Sequence, residues 1–157
     1  MTYGQLDAVS RELAARVVAA TGPRPARVGL LAAGSVAAYA GYLGVLRGGG
    51  TVVPLSEDYP AARNRQILEL ARLDAVLADD GKDTSLADGT GVPVITVGED
   101  DVRRSLRAAP TAPAAPADDA LDPDAVAYIL FTSGSTGVPK PTGTGSGPAA
   151  GCPRPSA

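Results

Sequence analysis

The chain opens with apolar residues spaced for a helix. Leu6, Val9, Leu13, Val17 and Ala20 recur at steps of three and four, the stripe by which an amphipathic helix faces a core. Thr2 followed three residues later by Gln5 fits a capping box, and Thr21-Gly22-Pro23 ends the run. This spacing predicts a helix over 3–20. From 28 to 33 the residues are mostly apolar without alternation, as in a strand buried on both faces. Ser35 is an N-cap for a second helix over 35–47, whose small Ala37, Gly41 and Gly44 suit close approach to a sheet. Gly48-Gly49-Gly50 stops that helix. Thr51-Val52-Val53 reads as the next strand, closed by Pro54. Tyr59-Pro60 opens a helix over 60–72, with Arg63 and Gln66 polar and Ile67, Leu70 and Ala71 apolar. Short strands are predicted over 75–78 and 94–97, and a longer one over 125–131. A short helix is predicted over 100–107, its acids first and its arginines last, in accord with the helix dipole. Strands alternating with helices predict an α/β fold with a parallel sheet and right-handed crossovers.

Two stretches break this pattern. Residues 108–124 hold seven Ala, four Pro and four Asp, the composition of a poorly ordered surface spacer. Residues 141–157 hold four Gly, four Pro, three Ala, two Ser and two Thr, with no Val, Ile, Leu or aromatic residue. Such a segment buries too little to offset its ordering entropy. The expected division is therefore a domain over 1–140, with the spacer inside it, and a disordered tail over 141–157.

Composition removes several function classes. The chain has no His and one Cys, which excludes His-based triads, most zinc sites and an internal disulfide framework. A net charge of -3 without a polybasic run argues against a nucleic-acid partner. The nineteen uncharged residues between Arg27 and Arg47 are broken by Gly29, Gly34, Ser35, Gly41 and Gly44, so they read as strand and helix instead of a membrane span. Met1 is followed by a polar helical segment and not by a basic, then apolar leader. The chain reads as cytoplasmic. Asp79-Asp80 resembles a solvated turn and Glu99-Asp100-Asp101 a helix start, so no metal site is expected. Tyr39, Tyr42 and Tyr59 read as packing residues, and Cys152 is assigned no role.

The chemistry lies in Ile129-Leu130-Phe131-Thr132-Ser133-Gly134-Ser135-Thr136-Gly137-Val138-Pro139-Lys140. An apolar strand runs into a loop crowded with hydroxyls and glycines, and a lysine follows. Gly134 and Gly137 permit backbone conformations that let several N–H groups converge on one anion. Thr132, Ser133, Ser135 and Thr136 add hydroxyl donors, and Lys140 adds a compact charge suited to phosphate. The carboxyl end of a strand is where open α/β sheets bind ligands. A G-x-x-x-x-G-K-[ST] loop does not fit: counted from Gly134, its second Gly falls on Pro139, and Pro141 stands where Ser or Thr belongs.

Phe131 to Lys140 closely resembles the phosphate-binding signature of the adenylate-forming enzymes, T-S-G-S-T-G-x-P-K-G. Thr2-Tyr3-Gly4-Gln5-Leu6 resembles the family's L-T-Y-x-E-L. Leu46-Arg47-Gly48-Gly49-Gly50-Thr51-Val52-Val53-Pro54-Leu55 resembles its L-K-A-G-x-A-Y-V-P-L. Asp58-Tyr59-Pro60-Ala61-Ala62-Arg63 looks like the amino-acid-activating branch, the adenylation domains of nonribosomal peptide synthetases. The resemblance implies the N-terminal part of an AMP-binding domain, an incomplete parallel-sheet layer. It also implies ATP as cofactor, with magnesium, and a reaction that joins a carboxylic acid to ATP as an acyl-adenylate. In the intact family the acyl group then passes to a phosphopantetheine thiol on a carrier protein.

By the same resemblance, Thr132, Ser133, Gly134, Ser135, Thr136, Gly137 and Lys140 grip the phosphates. No catalytic residue and no magnesium ligand is assigned, because the family's later motifs have no counterpart here. Pro141 replaces the Gly that follows the family's lysine, and a truncation or frameshift after Lys140 is the expected cause. The expected partners are ATP or pyrophosphate, bound weakly at most, and other copies of the chain through an uncovered apolar face. Two further readings stand beside this one: a non-enzymatic pseudogene remnant, and a fragment of an acyl-CoA or aryl-acid ligase.

Overall fold

A computed structural model describes residues 1–107, 125–132 and 140–144. Helix α1, Tyr3–Thr21, begins with the expected capping box. The Gln5 N–H donates to Thr2 Oγ1 at 3.3 Å, and the Thr2 N–H donates to Gln5 Oε1 at 2.8 Å. Strand β1, Arg27–Leu31, leads into helix α2, Val36–Arg47, whose Ala38 N–H donates to Ser35 Oγ at 3.0 Å. Then come strand β2, Thr51–Pro54, helix α3, Ala61–Ala71, and strand β3, Ala75–Asp79. A 3-10 turn at Ser85–Ala87 precedes strand β4, Val94–Val97, and helix α4, Glu99–Arg107. Strands β5, Tyr128–Thr132, and β6, Lys140–Thr144, complete the order.

The six strands form one sheet in the order β4-β3-β1-β2-β5-β6. The first five run parallel, and β6 runs antiparallel to β5. Strand β1 lies between β2 and β3, with Gly29 opposite both Val53 and Val76. Alternate residues of these strands feed two cores. Val28, Leu30, Val52, Leu77, Ile95 and Val97 pack with Val9, Leu13 and Val17 of α1 and Ala37, Ala40 and Val45 of α2. Leu31, Val53, Val76, Ala78 and Ile129 pack with Ile67, Leu68 and Ala71 of α3 and Leu86 of the turn. Burying each of the larger aliphatic side chains stabilises by roughly 1.5–3 kcal/mol.

The glycines of α2 do what their size allows. A Cβ on Gly41 would lie 3.0 Å from Leu77 and 3.2 Å from Leu30, so this position sits against the sheet. A Cβ on Gly44 would lie 2.9 Å from Ser10 O and 3.1 Å from Ala14 N, so α1 and α2 touch backbone to backbone there. The Asp7–Arg47 ion pair ties the start of α1 to the end of α2.

The structure departs from the sequence expectations in several places, and strand β1 ends at Leu31 instead of 33. Strand β5 begins at Tyr128 instead of 125. Residues 141–144, expected to be unstructured, lie in β6. They carry no Val, Ile, Leu or aromatic side chain, but pairing along β5 engages the backbone groups that face it, and an edge strand tolerates Pro141. Tyr39, expected to pack, is 65% exposed, whereas Tyr42 is half-buried against the first core. The spacer over 108–124 and the remainder of the expected tail, 145–157, lie outside the described residues.

Candidate phosphate-binding edge

Parallel pairing puts the carboxyl ends of β1 to β5 on one edge of the sheet, the edge where α/β folds place ligands. The hydroxyl-rich loop leaves from β5 on this edge. Pairing within the hairpin sets Thr132 opposite Lys140. The two outermost members of the expected phosphate-binding set thus stand opposite each other in the sheet. Ser133, Gly134, Ser135, Thr136 and Gly137 lie outside the described residues.

Beside β5, strand β2 runs out into Leu55 and a polar turn. Asn64, at the start of α3, is only 4% exposed and its Nδ2 donates to Ser56 O at 2.7 Å, which fixes that turn. Its Oδ1 has no hydrogen-bond partner among the described residues. The Arg63 guanidinium lies over the Tyr59 ring, 4.7 Å from the ring centre; Tyr59, expected to pack, is exposed and joins neither core.

Further along the edge, between β1 and β3, the chain changes direction: β1 continues into α2 on one face and β3 into the 3-10 turn on the other. A cleft of about 920 Å³ opens there, lined by Ser35, Asp79, Asp80, Lys82, Gly98 and Glu99 among others. Ser35 Oγ donates to Asp79 Oδ1 at 3.1 Å, so the cap of α2 is anchored to the end of β3. Lys82 pairs with Glu57, and this hydrogen bond, with Asp79 and Asp58 nearby, holds its ammonium pKa above the usual lysine value. Sequence reading treated Asp79-Asp80 as a solvated turn. Asp79 is instead half-buried and bonded, and only the spatial meeting of β1 and β3 could reveal that. Among the described residues no group of three or more His, Cys, Asp or Glu is placed to hold a metal ion. The magnesium implied by the resemblance has no ligand set in these residues.

A mainly parallel sheet with helices on both faces, its parallel strands ending on one edge, defines the layered α/β class of protein. The particular family follows from comparison with known proteins: the AMP-binding enzyme family matches residues 1–142, and the chain belongs to it. Its relatives include the syringomycin synthase SyrB1 of Pseudomonas syringae pv. syringae, 36% identical over 141 residues, 89% of this chain and 22% of that protein. The nonribosomal peptide synthetase vlms of Lecanicillium sp is 34% identical over 140 residues, 89% of this chain and 2% of that protein. The chain thus spans only a small part of these relatives. The fold is similar to that of ATP-bound MatB from Rhodopseudomonas palustris, with TM-score 0.71 and 28% identity over 92% of this chain and 29% of that one. It is also similar to VinN in complex with L-aspartate, with TM-score 0.76 and 25% identity over 92% of this chain and 41% of that one. No helix among the described residues is long and apolar enough to cross a membrane.

Proposed function

We propose that this chain is the N-terminal part of an adenylate-forming ligase of the amino-acid-activating branch, and that Thr132 to Lys140 form its ATP-phosphate loop. The observation that carries this reading is the β5–β6 hairpin, which brings Thr132 opposite Lys140 on the ligand-binding edge of the sheet. ATP supplies the leaving group of the reaction. Glycine N–H groups, the hydroxyls of Thr132, Ser133, Ser135 and Thr136, and the Lys140 charge would orient its phosphates and offset their developing charge. Adenylation also requires the nucleoside and the carboxylate to be held within reacting distance of roughly 3–3.5 Å. No described residue is assigned to either. The chain by itself is therefore expected to be inactive.

The intact protein would be cytoplasmic and hand its acyl group to a carrier-protein thiol. The peptide-synthetase relatives favour an amino acid as the substrate over the fatty acid of a structural neighbour such as the Mycobacterium tuberculosis fatty acyl CoA synthetase, at TM-score 0.72 and 25% identity. Amino-acid-dependent exchange of pyrophosphate into ATP tests activity, with no exchange expected from the 157-residue chain; robust exchange would overturn the partial-site reading. Titration with ATP tests the loop. Weak, salt-sensitive binding is expected, with Lys140→Ala reducing affinity more than Ser133→Ala, because a charged contact to phosphate is the stronger kind. Absence of ATP binding would leave the non-enzymatic remnant as the better reading.

A further inference from the structure

We infer that the free edge of β4 is a pairing surface for a second copy of this chain, and that Arg16 holds it closed. Strand β4 ends the sheet and pairs on one side only, with β3. The Val76 N–H donates to Pro93 O at 2.9 Å, and the Asp80 N–H donates to Val97 O at 3.0 Å. Alternate residues of a strand bond toward a given neighbour, so residues 93, 95 and 97 face β3. The N–H and C=O groups of Val94 and Thr96 therefore point away from the sheet. Outward groups of this kind are a template for another strand. The strand carries no deterrent of its own. Val94-Ile95-Thr96-Val97 holds no charge and no proline, and each of these residues favours a strand.

These outward groups complement themselves, which points to a second copy as the occupant. In an antiparallel ladder, residue pairs that exchange both N–H···O bonds alternate with pairs that exchange none. A two-fold axis through Ile95 sets Val94 of each copy opposite Thr96 of the other. Both of those pairs then exchange their bonds, with Ile95 facing its own copy between them. Every outward group of Val94 and Thr96 is used, and one surface serves both copies, as closed two-fold association requires. The cover over this edge comes from α1. Arg16 Nη2 donates to Thr96 O at 2.7 Å. Its guanidinium stands where the N–H of an incoming strand would have to reach that oxygen. Arg16 Nη1 lies 3.8 Å from Asp101 Oδ2, and the same oxygen accepts the Gly98 N–H at 3.0 Å. The next outward donor along the edge is thus capped as well, and the carboxylate holds Arg16 in place. The charge that edge strands commonly carry themselves is here supplied by a helix far away in sequence.

Hydrogen–deuterium exchange resolved by residue, measured on the 157-residue chain at rising concentration, tests this. In the parent, the Val94 and Thr96 amides should exchange without protection at every concentration, and association through any other surface leaves them so. Arg16→Met keeps the aliphatic stem and removes the guanidinium. In that variant both amides should gain about tenfold protection as concentration rises, the size that one or two net hydrogen bonds give. The amides of α1 should stay as in the parent. Adding Thr96→Pro removes an outward N–H and spares the β3 ladder, and it should abolish the gain at Val94. Unprotected Val94 and Thr96 amides in Arg16→Met would overturn the inference, as would a gain at Val94 that survives Thr96→Pro. Protection that ignores concentration would mean that a segment of the same chain fills the edge. Protection already present in the parent would mean that Arg16 does not close it. Either result overturns the inference. So does loss of protection throughout the sheet in Arg16→Met, because a cover over an edge can be removed without unfolding the strands beneath it.

Discussion

Single residues in this protein act mainly through the space they leave or fill. Gly44 and Gly4 lie in helices α2 and α1 respectively and make opposite predictions for the same substitution. A Cβ at Gly44 would stand 2.9 Å from the backbone oxygen of Ser10 and 3.1 Å from Ala14 N, neither of which yields without moving α1. Gly44→Ala should therefore cost about 1–3 kcal/mol. At Gly4 nothing lies within 4 Å of the added Cβ, so only the helix preference for Ala remains, and Gly4→Ala should stabilise by up to about 1 kcal/mol. Urea midpoints of the two variants, moving in opposite directions from the parent, would check both. A common direction would show that the α1–α2 approach is less close than described.

At the scale of elements, α4 is the least secured helix among the described residues. None of its residues is buried. It is held by Val102 and Leu106, packed against the first core, and by polar contacts around Asp101, of which the one to Arg16 reaches α1. The Gly98 N–H donates to Asp101 Oδ2 at 3.0 Å, Arg16 lies 3.8 Å from the same oxygen, and Arg104 pairs with Oδ1. The Gly98 N–H, helped by the Arg16 and Arg104 charges, holds this carboxyl below its ordinary pKa. A carboxyl held low in the folded chain adds stability at pH values above its unfolded pKa, about 3.9. That contribution is lost as pH falls from there through the folded value. Attachment of α4 should thus weaken below about pH 4. Amide exchange in α4 measured at pH 6 and pH 3, corrected for intrinsic rates, should show protection lost at the lower pH. In Asp101→Asn the protection should be lower at pH 6 and change less between the two; an equal pH response in parent and variant would count against this.

Across the whole molecule, the helices cover the sheet unevenly. On the face of α1 and α2, the flank of α2 exposes Val36, Tyr39 and Leu43, spaced three and four residues apart on one side of the helix. Leu130 of β5 is 44% exposed. Apolar strips of this kind drive association when nothing else covers them. We expect the isolated chain to self-associate. Light scattering at rising concentration should report species larger than a monomer, and Tyr39→Lys with Leu43→Lys should shift the distribution toward monomer without altering the helical circular dichroism. A parent chain that stays monomeric and melts cooperatively would refute this.

How much of this architecture was legible beforehand depended on the range of the forces involved. The helices near 3–20, 35–47 and 60–72 and the four strands before β5 follow from caps, glycine stops and apolar spacing, all of which act within a few residues. The candidate phosphate loop is proposed from contiguous chemistry, Thr132 to Lys140, of which 133–139 lie outside the described residues. Tertiary structure alone decided what depends on meetings between distant segments. Many strand orders share one local pattern, and the order β4-β3-β1-β2-β5-β6 emerges only when both apolar faces of each central strand are covered at once. The pairing of β6, whose side chains give no strand signal, arises from the open backbone groups of β5. Ser35 meets Asp79, and Thr51 meets Val126, across 44 and 75 residues of chain. A hydroxyl's partner at such a separation is set by the fold that brings the two together, because nothing in the residues next to it in sequence specifies that partner.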